Sequence, residues 1–302
     1  MKDMRADAAP VPLGAGRRLG TMVGDYVALT KPRLNVLVVA TSAAGYYLGA
    51  TGSPTLLDML PAVCGTALVA AGSAALNQVL ERDTDALMRR TRLRPLPDGR
   101  IAPDEGRIFG LILSAFGVLL LAFAANALSA LLAVITLVVY VAIYTPLKRR
   151  SDISTLVGAI PGALPPLIGW AAGRGSLSAG GWALFGIVFL WQIPHFMAIA
   201  WLYRDDYGRA GFPMLPVTDP GGRSAGRQAL IYACALLPAS LVPAALGVSG
   251  TIYFWVALVL GVVMVALSWR FATSRNERSA YALFIGSIVY LPLIWVAMIL
   301  NH

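Results

Sequence analysis

Residues 56–85 read LLDMLPAVCGTALVAAGSAALNQVLERDTD, and this stretch decides what kind of molecule the chain is. Residues 56–76 are largely apolar and long enough, as a helix, to cross the hydrocarbon core of a bilayer. With no turn signal between, the sequence then runs into an amide and three carboxylates. On one continuous helix, at 100° per residue, Asn77, Glu81 and Asp85 fall within roughly an 80° arc. Stacked at the end of a spanning helix, they are expected to act as oxygen ligands for a hard divalent cation. Ionisable groups are costly beside a membrane, so a functional site outweighs the bland reading of a solvated, salt-bridged helix end. Asp83 points roughly the opposite way and is expected to pair with a loop arginine.

Composition agrees with a membrane class. The chain of 302 residues is 58% hydrophobic and 13% charged, too apolar for an ordinary soluble domain. Outward from the opening stretch, apolar blocks recur at 34–50, 56–76, 108–125, 127–146, 156–172, 182–202, 229–247, 252–269 and 280–300. The expected fold is an all-α polytopic membrane protein, with about nine transmembrane helices bundled around a cavity. Pro161, Pro165, Pro166, Pro194, Pro238, Pro243 and Pro292 fall inside these blocks. Bundled membrane helices tolerate proline when neighbours satisfy the freed carbonyls.

The nine-span count puts 23 of the 24 Lys and Arg residues on one side, with only Arg174 on the other. The positive-inside rule then places the amino terminus in the cytoplasm and the carboxyl terminus outside. Dropping one span would scatter the basic loops over both faces. The net charge of +9 is therefore topogenic, and nucleic acid is not an expected partner. Cys64 and Cys234 have no CxxC partner and are read as small core residues. The first 25 residues show neither a secretory leader nor a convincing mitochondrial transit peptide, which points to a bacterial plasma (inner) membrane. The chain divides into a cytoplasmic tail, 1–25, and a single membrane domain, 26–302.

The two long cytoplasmic loops, after the second and sixth blocks, carry most of the charged side chains. An active site at that mouth, roofed by both loops, follows. The second supplies another carboxylate pair, Asp205 and Asp206. Two acidic clusters facing each other, with Arg and Lys around them, suit a diphosphate held through bridging Mg²⁺. Arg33, Arg94, Lys148 or Arg149 are candidates to cap its remaining oxygens. A carrier or channel would set its charges near the midplane of broken helices, whereas here they collect at one face.

Asn77-xxx-Glu81-xxx-Asp85, followed by RRTRLRPLP at 89–97, resembles the first aspartate-rich motif of the UbiA superfamily of intramembrane prenyltransferases. Within it the chain looks most similar to the protohaem IX farnesyltransferase (haem O synthase) family. Four further segments carry this: LTKPR at 29–33, YTPLKR at 144–149, GAIPGALPPLIGW at 158–170, and the stretch 191–216 with its Pro194-His195-Phe196 and DYGRAG at 206–211. Two departures stand out. Glu81 replaces the usual Asp, and the second DxxxD pattern is absent, leaving adjacent Asp205 and Asp206 with His195 upstream.

The resemblance implies a nine-helix bundle that transfers a farnesyl group from farnesyl diphosphate to a vinyl group of haem B with Mg²⁺. Haem O and diphosphate are the implied products, and a haem A synthase or terminal oxidase assembly the next partner. The runner-up is a related enzyme prenylating an aromatic quinone precursor. The implied metal ligands are Asn77, Glu81, Asp85, Asp205 and Asp206, with Lys31, Arg33, Arg94 and Lys148 on the diphosphate. His195 is read as an axial contact to haem iron or a base near the vinyl, against a histidine merely hydrogen-bonded in the core. Arg149 suits a haem propionate or a topogenic cluster. Trp170 and Tyr207 suit stacking on the tetrapyrrole or an interfacial aromatic belt.

Overall fold

The computed structural model describes residues 19–302, and the described residues contain helices but no strand. The reading of residues 1–18 as a tail lies outside them. A short α1 (Leu19–Leu29) leads into α2 (Pro32–Gly49), then α3 (Leu56–Leu80) and a single turn, α4 (Arg82–Asp85). Next come α5 (Pro103–Ala124) and α6 (Ala127–Val138), which continues through a π-helical stretch (Val139–Tyr144) into α7 (Thr145–Leu147). The remainder is α8 (Ser154–Arg174), α9 (Ala179–Leu202), α10 (Arg204–Arg209), α11 (Leu215–Thr218), α12 (Arg223–Ala245), α13 (Thr251–Ser274) and α14 (Glu277–Leu300).

Among the described residues, eight helices are long and apolar enough to cross a membrane: α3, α5, the run from α6 through α7, α8, α9, α12, α13 and α14. The first apolar block, 34–50, falls on α2, whose first turn carries Arg33 and Asn35 and which is not among those eight. The helix ends follow local chemistry. Thr55 and Asp58 form a reciprocal capping box on α3. Asn126 accepts from Ser129 N at 2.9 Å to start α6 and donates to Ala171 O at 2.8 Å, tying that turn to α8. The tail boundary expected at residue 25 falls inside α1, where buried Asp25 is ion-paired with Arg100 of the first long loop.

α8 lies at the centre, with 67% of its apolar window buried against 22% for α5. It holds Pro161, Pro165 and Pro166, and Gln192 of α9 donates to its Ala159 O at 3.0 Å. The α2–α8 contact is so close that a Cβ on Gly169 would strike Ser42 O, and one on Gly45 would strike Pro166 O. Such small-residue seams are how membrane helices gain contact area where lipid supplies no hydrophobic drive. The outward faces are apolar, for example Phe116, Phe123, Ile252 and Trp255. Cys64 and Cys234 correct the sequence reading, because both are exposed on those faces rather than packed in the core. A lone thiol behaves as a small hydrophobe and suits a lipid-facing position equally well.

The bundle has two distinct ends. One gathers Lys31, Asn77, Glu81 and Lys148 through mutual contacts. The other gathers Tyr47 beside His302, with His302 Nδ1 2.8 Å from Val248 O and Gly49 against Trp170.

Candidate active site

Asn77 occupies the last turn of α3, Glu81 is the junction residue, and Asp85 ends α4. The continuous helix expected through these positions is interrupted at Glu81, whose ψ of 7° departs from helical geometry. The i to i+4 ladder nevertheless passes through it. Glu81 N donates to Asn77 O at 2.9 Å and Asp85 N to Glu81 O at 2.7 Å. All three side chains are buried, at 1%, 7% and 1% exposure. Asp83 points away as expected, 86% exposed, and pairs with its neighbour Arg82 at 2.9 Å.

Each member of the triad is met by a cation from a different segment. Lys31 Nζ donates to Asn77 Oδ1 at 3.2 Å, Lys148 Nζ lies 2.9 Å from Glu81 Oε1, and Arg94 Nη1 lies 2.7 Å from Asp85 Oδ2. Asn77 Nδ2 donates to Thr145 Oγ1 at 3.0 Å, so its oxygen is the edge turned to Lys31. Lys31 adopts a left-handed backbone at φ 48°, unusual for a side-chain-bearing residue. Burial, together with the Arg94 and Lys148 charges, lowers its ammonium to about 7, Glu81 and Asp85 only partly opposing. Burial also works to lower Lys148, but Tyr144, Glu81 and Tyr140 around it prevail and hold it well above its ordinary value.

Beside this cluster opens a cavity of about 330 Å³. Lys31 and Asn35 line it together with Tyr140, Tyr144, Gly158 and Pro161, and Trp191, Gln192 and His195 line it from α9. No sequence signal marks Tyr140 and Tyr144 as site residues. The π-helical stretch carries both, their rings 5.3 Å apart, with Lys148 Nζ 4.6 Å from the Tyr144 ring centroid. Such π segments often mark functional sites, yet a wide turn leaves no residue pattern to find it by. Another cleft, about 500 Å³ and near Tyr46 and Gly173, has Asp58 as its one carboxylate, which already accepts from Thr55 N at 2.8 Å in capping α3.

The second loop joins the first without completing an acidic cluster. Met88 packs with Ala210, Phe212, Tyr207 and Met214, and Arg90 lies 5.0 Å from the Tyr203 ring, so the two loops form one roof. Asp206 is paired with Arg209 of its own helix, and Asp205 is exposed. Among the described residues no three His, Cys, Asp or Glu side chains gather closely enough to hold a metal. Arg33 and Arg149 are exposed, with no side-chain partner among the described residues. Trp170 is 2% exposed and wedged against Gly49, Gly180 and Gly181, away from the cavity lining. Tyr207 packs edge-on to Phe212 in the roof.

The donor chemistry of the first cluster suits Mg²⁺. Asn77, Glu81 and Asp85 offer only hard oxygens, and Glu81 Oε1 is buried with no hydrogen bond of good geometry despite its ion pair. Mg²⁺ commonly takes one or two carboxylates and completes its shell with substrate phosphate and water. Three cations on the same face match the charge of a phosphate group.

The UbiA prenyltransferase family pattern matches residues 38–295. A protoheme IX farnesyltransferase of Solibacter usitatus is 47% identical over 287 residues, covering 92% of this chain and 98% of the relative. A solved structure described as digeranylgeranylglyceryl phosphate synthase superposes with a TM-score of 0.79 at 18% identity, covering 93% of this chain and 98% of that one. A UbiA homolog from Archaeoglobus fulgidus, bound to GPP and Mg²⁺, superposes at 0.65 with 17% identity, covering 91% and 99%.

Proposed function

The chain belongs to the UbiA prenyltransferase family, and from that premise we propose that it transfers a farnesyl group from farnesyl diphosphate to a vinyl group of haem B. The observation that carries the reading is that one cavity has both Lys31, beside the buried acid triad, and His195 on its walls. The family relatives bearing the protoheme IX farnesyltransferase name supply the substrate pair.

The C1–O bond of farnesyl diphosphate breaks and diphosphate leaves with the electron pair. The vinyl carbon of haem forms a bond to C1, and water adds at the adjacent carbon with loss of a proton, giving haem O. Asn77, Glu81 and Asp85 would hold Mg²⁺, which neutralises charge on the departing diphosphate. Lys31, Lys148 and Arg94 donate to the diphosphate oxygens, exchanging their present carboxylate and amide partners for phosphate. The faces of Tyr140 and Tyr144 stabilise positive charge at the allylic carbon. The apolar lining, including Leu34, Leu37, Val38 and Leu291, keeps bulk water from intercepting that charge. His195, on the α9 wall, meets the haem.

The deciding measurement is expression of the chain in membranes that contain haem B and farnesyl diphosphate, followed by haem extraction and chromatography. A farnesylated haem is the expected product. Recovery of haem B alone, with the protein folded and inserted, would overturn the reading.

We also infer that α2 makes the ninth crossing, that the end bearing Lys31 and Lys148 faces the cytoplasm of a bacterial inner membrane, and that His302 lies outside. The one-sided basic loops support this. Single cysteines at Arg92 and Ser224 should label from the cytoplasm, and those at Ser176 and His302 from the opposite side. Cys64 and Cys234 must be replaced first because both are exposed. Labelling of positions 92 and 176 from the same side would refute the topology.

A further inference from the structure

Two stacked aromatic rings and a hydrogen bond hold His195. Trp191 lies nearly parallel to its ring at 4.9 Å and 18°, and Phe284 of α14 at 5.3 Å and 25°. Its Nδ1 is 2.7 Å from Ser287 Oγ, also on α14. Ser287 is fully buried and spans the two helices twice, because its carbonyl accepts from Trp191 Nε1 at 2.8 Å. One residue of α14 thus fixes both the histidine and the indole stacked on it.

The hydrogen bonds also determine where the imidazole proton sits. Ser287 Oγ is 2.7 Å from Phe284 O, a carbonyl that can only accept. At that distance two oxygens without a proton between them repel, so the single hydroxyl proton goes to Phe284 O. Ser287 Oγ is then an acceptor toward His195, and Nδ1 must be the protonated nitrogen. Among the described residues Nε2 has no hydrogen-bond partner, and its ring lines the cavity. Its lone pair is therefore open to whatever the cavity holds.

We propose that Ser287 is a positioning residue, which locks His195 as the Nδ1–H tautomer with Nε2 presented to the iron of the haem substrate. The proposal rests on the haem-transfer reading above. A ligating histidine whose second nitrogen donates to a fixed acceptor is oriented and made more basic by it, and losing such a partner typically costs about 10–100-fold in metal affinity. Ser287 belongs to α14, far along the chain from every motif that marks the site, so no sequence spacing connects it to His195.

The test uses the full-length protein, purified in lipid nanodiscs and titrated with haem B while the Soret band is followed. Ser287→Ala should weaken haem binding about 10–100-fold and move the Soret maximum toward that of His195→Ala. Ser287→Thr, which keeps the hydroxyl, should restore most of the affinity and the wild-type band. If Ser287→Ala lowers only the thermal midpoint and leaves affinity and spectrum unchanged while His195→Ala alters both, Ser287 is a packing residue and the proposal fails alone. If neither variant changes the haem spectrum although farnesylated haem still forms, the presentation of Nε2 to iron is wrong for both residues and the transferase reading stands. If the wild-type protein binds no haem and forms no product, the haem reading itself fails.

Discussion

Asp85→Ala is expected to lower prenyl transfer by about 10²–10³-fold or more, the scale seen when one preorganised electrostatic partner of a developing charge is removed. Asp85 is 1% exposed and held by Arg94 at 2.7 Å, so no other carboxylate can take its place. Glu81→Ala should behave alike, because Asp205 is exposed and Asp206 already has Arg209. Chelating Mg²⁺ in wild-type membranes should reproduce the loss. The fold should survive, since Arg94 is 28% exposed and water can take over its guanidinium. Asp83→Ala, at an 86% exposed side chain paired only with its neighbour, serves as the mild control. Near-normal turnover in both alanine variants at 81 and 85 would refute the Mg²⁺–diphosphate assignment.

The second large effect is on the fold and needs only one methyl group. Gly169→Ala should destabilise the bundle by about 3 kcal/mol or more, at the upper end for overpacking, because its Cβ meets the backbone oxygen Ser42 O. A carbonyl in a helix cannot rotate aside as a side chain can, so α2 must move off α8. Gly186→Ala is the matched comparison. It lies in α9 with nothing within 4 Å of the new Cβ, and should be neutral or stabilising through helix propensity alone. Thermal unfolding in detergent, followed by size-exclusion, compares the two. Equal midpoints would show that the α2–α8 seam has room to spare.

Much of the site was legible because its residues are local to one another. Asn77, Glu81 and Asp85 are four apart, and the backbone ladder keeps them in sequence order even where the helix breaks at Glu81. His195 was legible because it is one of two histidines and lies inside an apolar block. Lys31, Arg94 and Lys148 could be nominated as cations flanking the apolar blocks. Arg33 and Arg149 qualify by the same rule and yet stay exposed, so charge and sidedness alone do not say which cations turn inward. Trp170 shows the same limit. A tryptophan near a helix end fits an aromatic platform, but small residues on two neighbouring helices wrap it into the core instead.

The sequence by itself determined the membrane class, the nine apolar blocks, the clustering of basic residues between them and the acid triad. Each follows from hydropathy, the 3.6-residue period or charge counting, which act on neighbours in the chain. The tertiary structure alone decided the pairing of Lys31 with Asn77, Arg94 with Asp85 and Lys148 with Glu81, the π-helical turn that brings Tyr140 and Tyr144 to the cavity, and the hold of Ser287 on His195. Partners such as His195 and Ser287 stand 92 positions apart. They meet only because glycine seams and tolerated prolines set how closely and at what rotation whole helices pack. Periodicity within a single helix says which face is apolar, but it carries no information about which residue of another helix that face will meet.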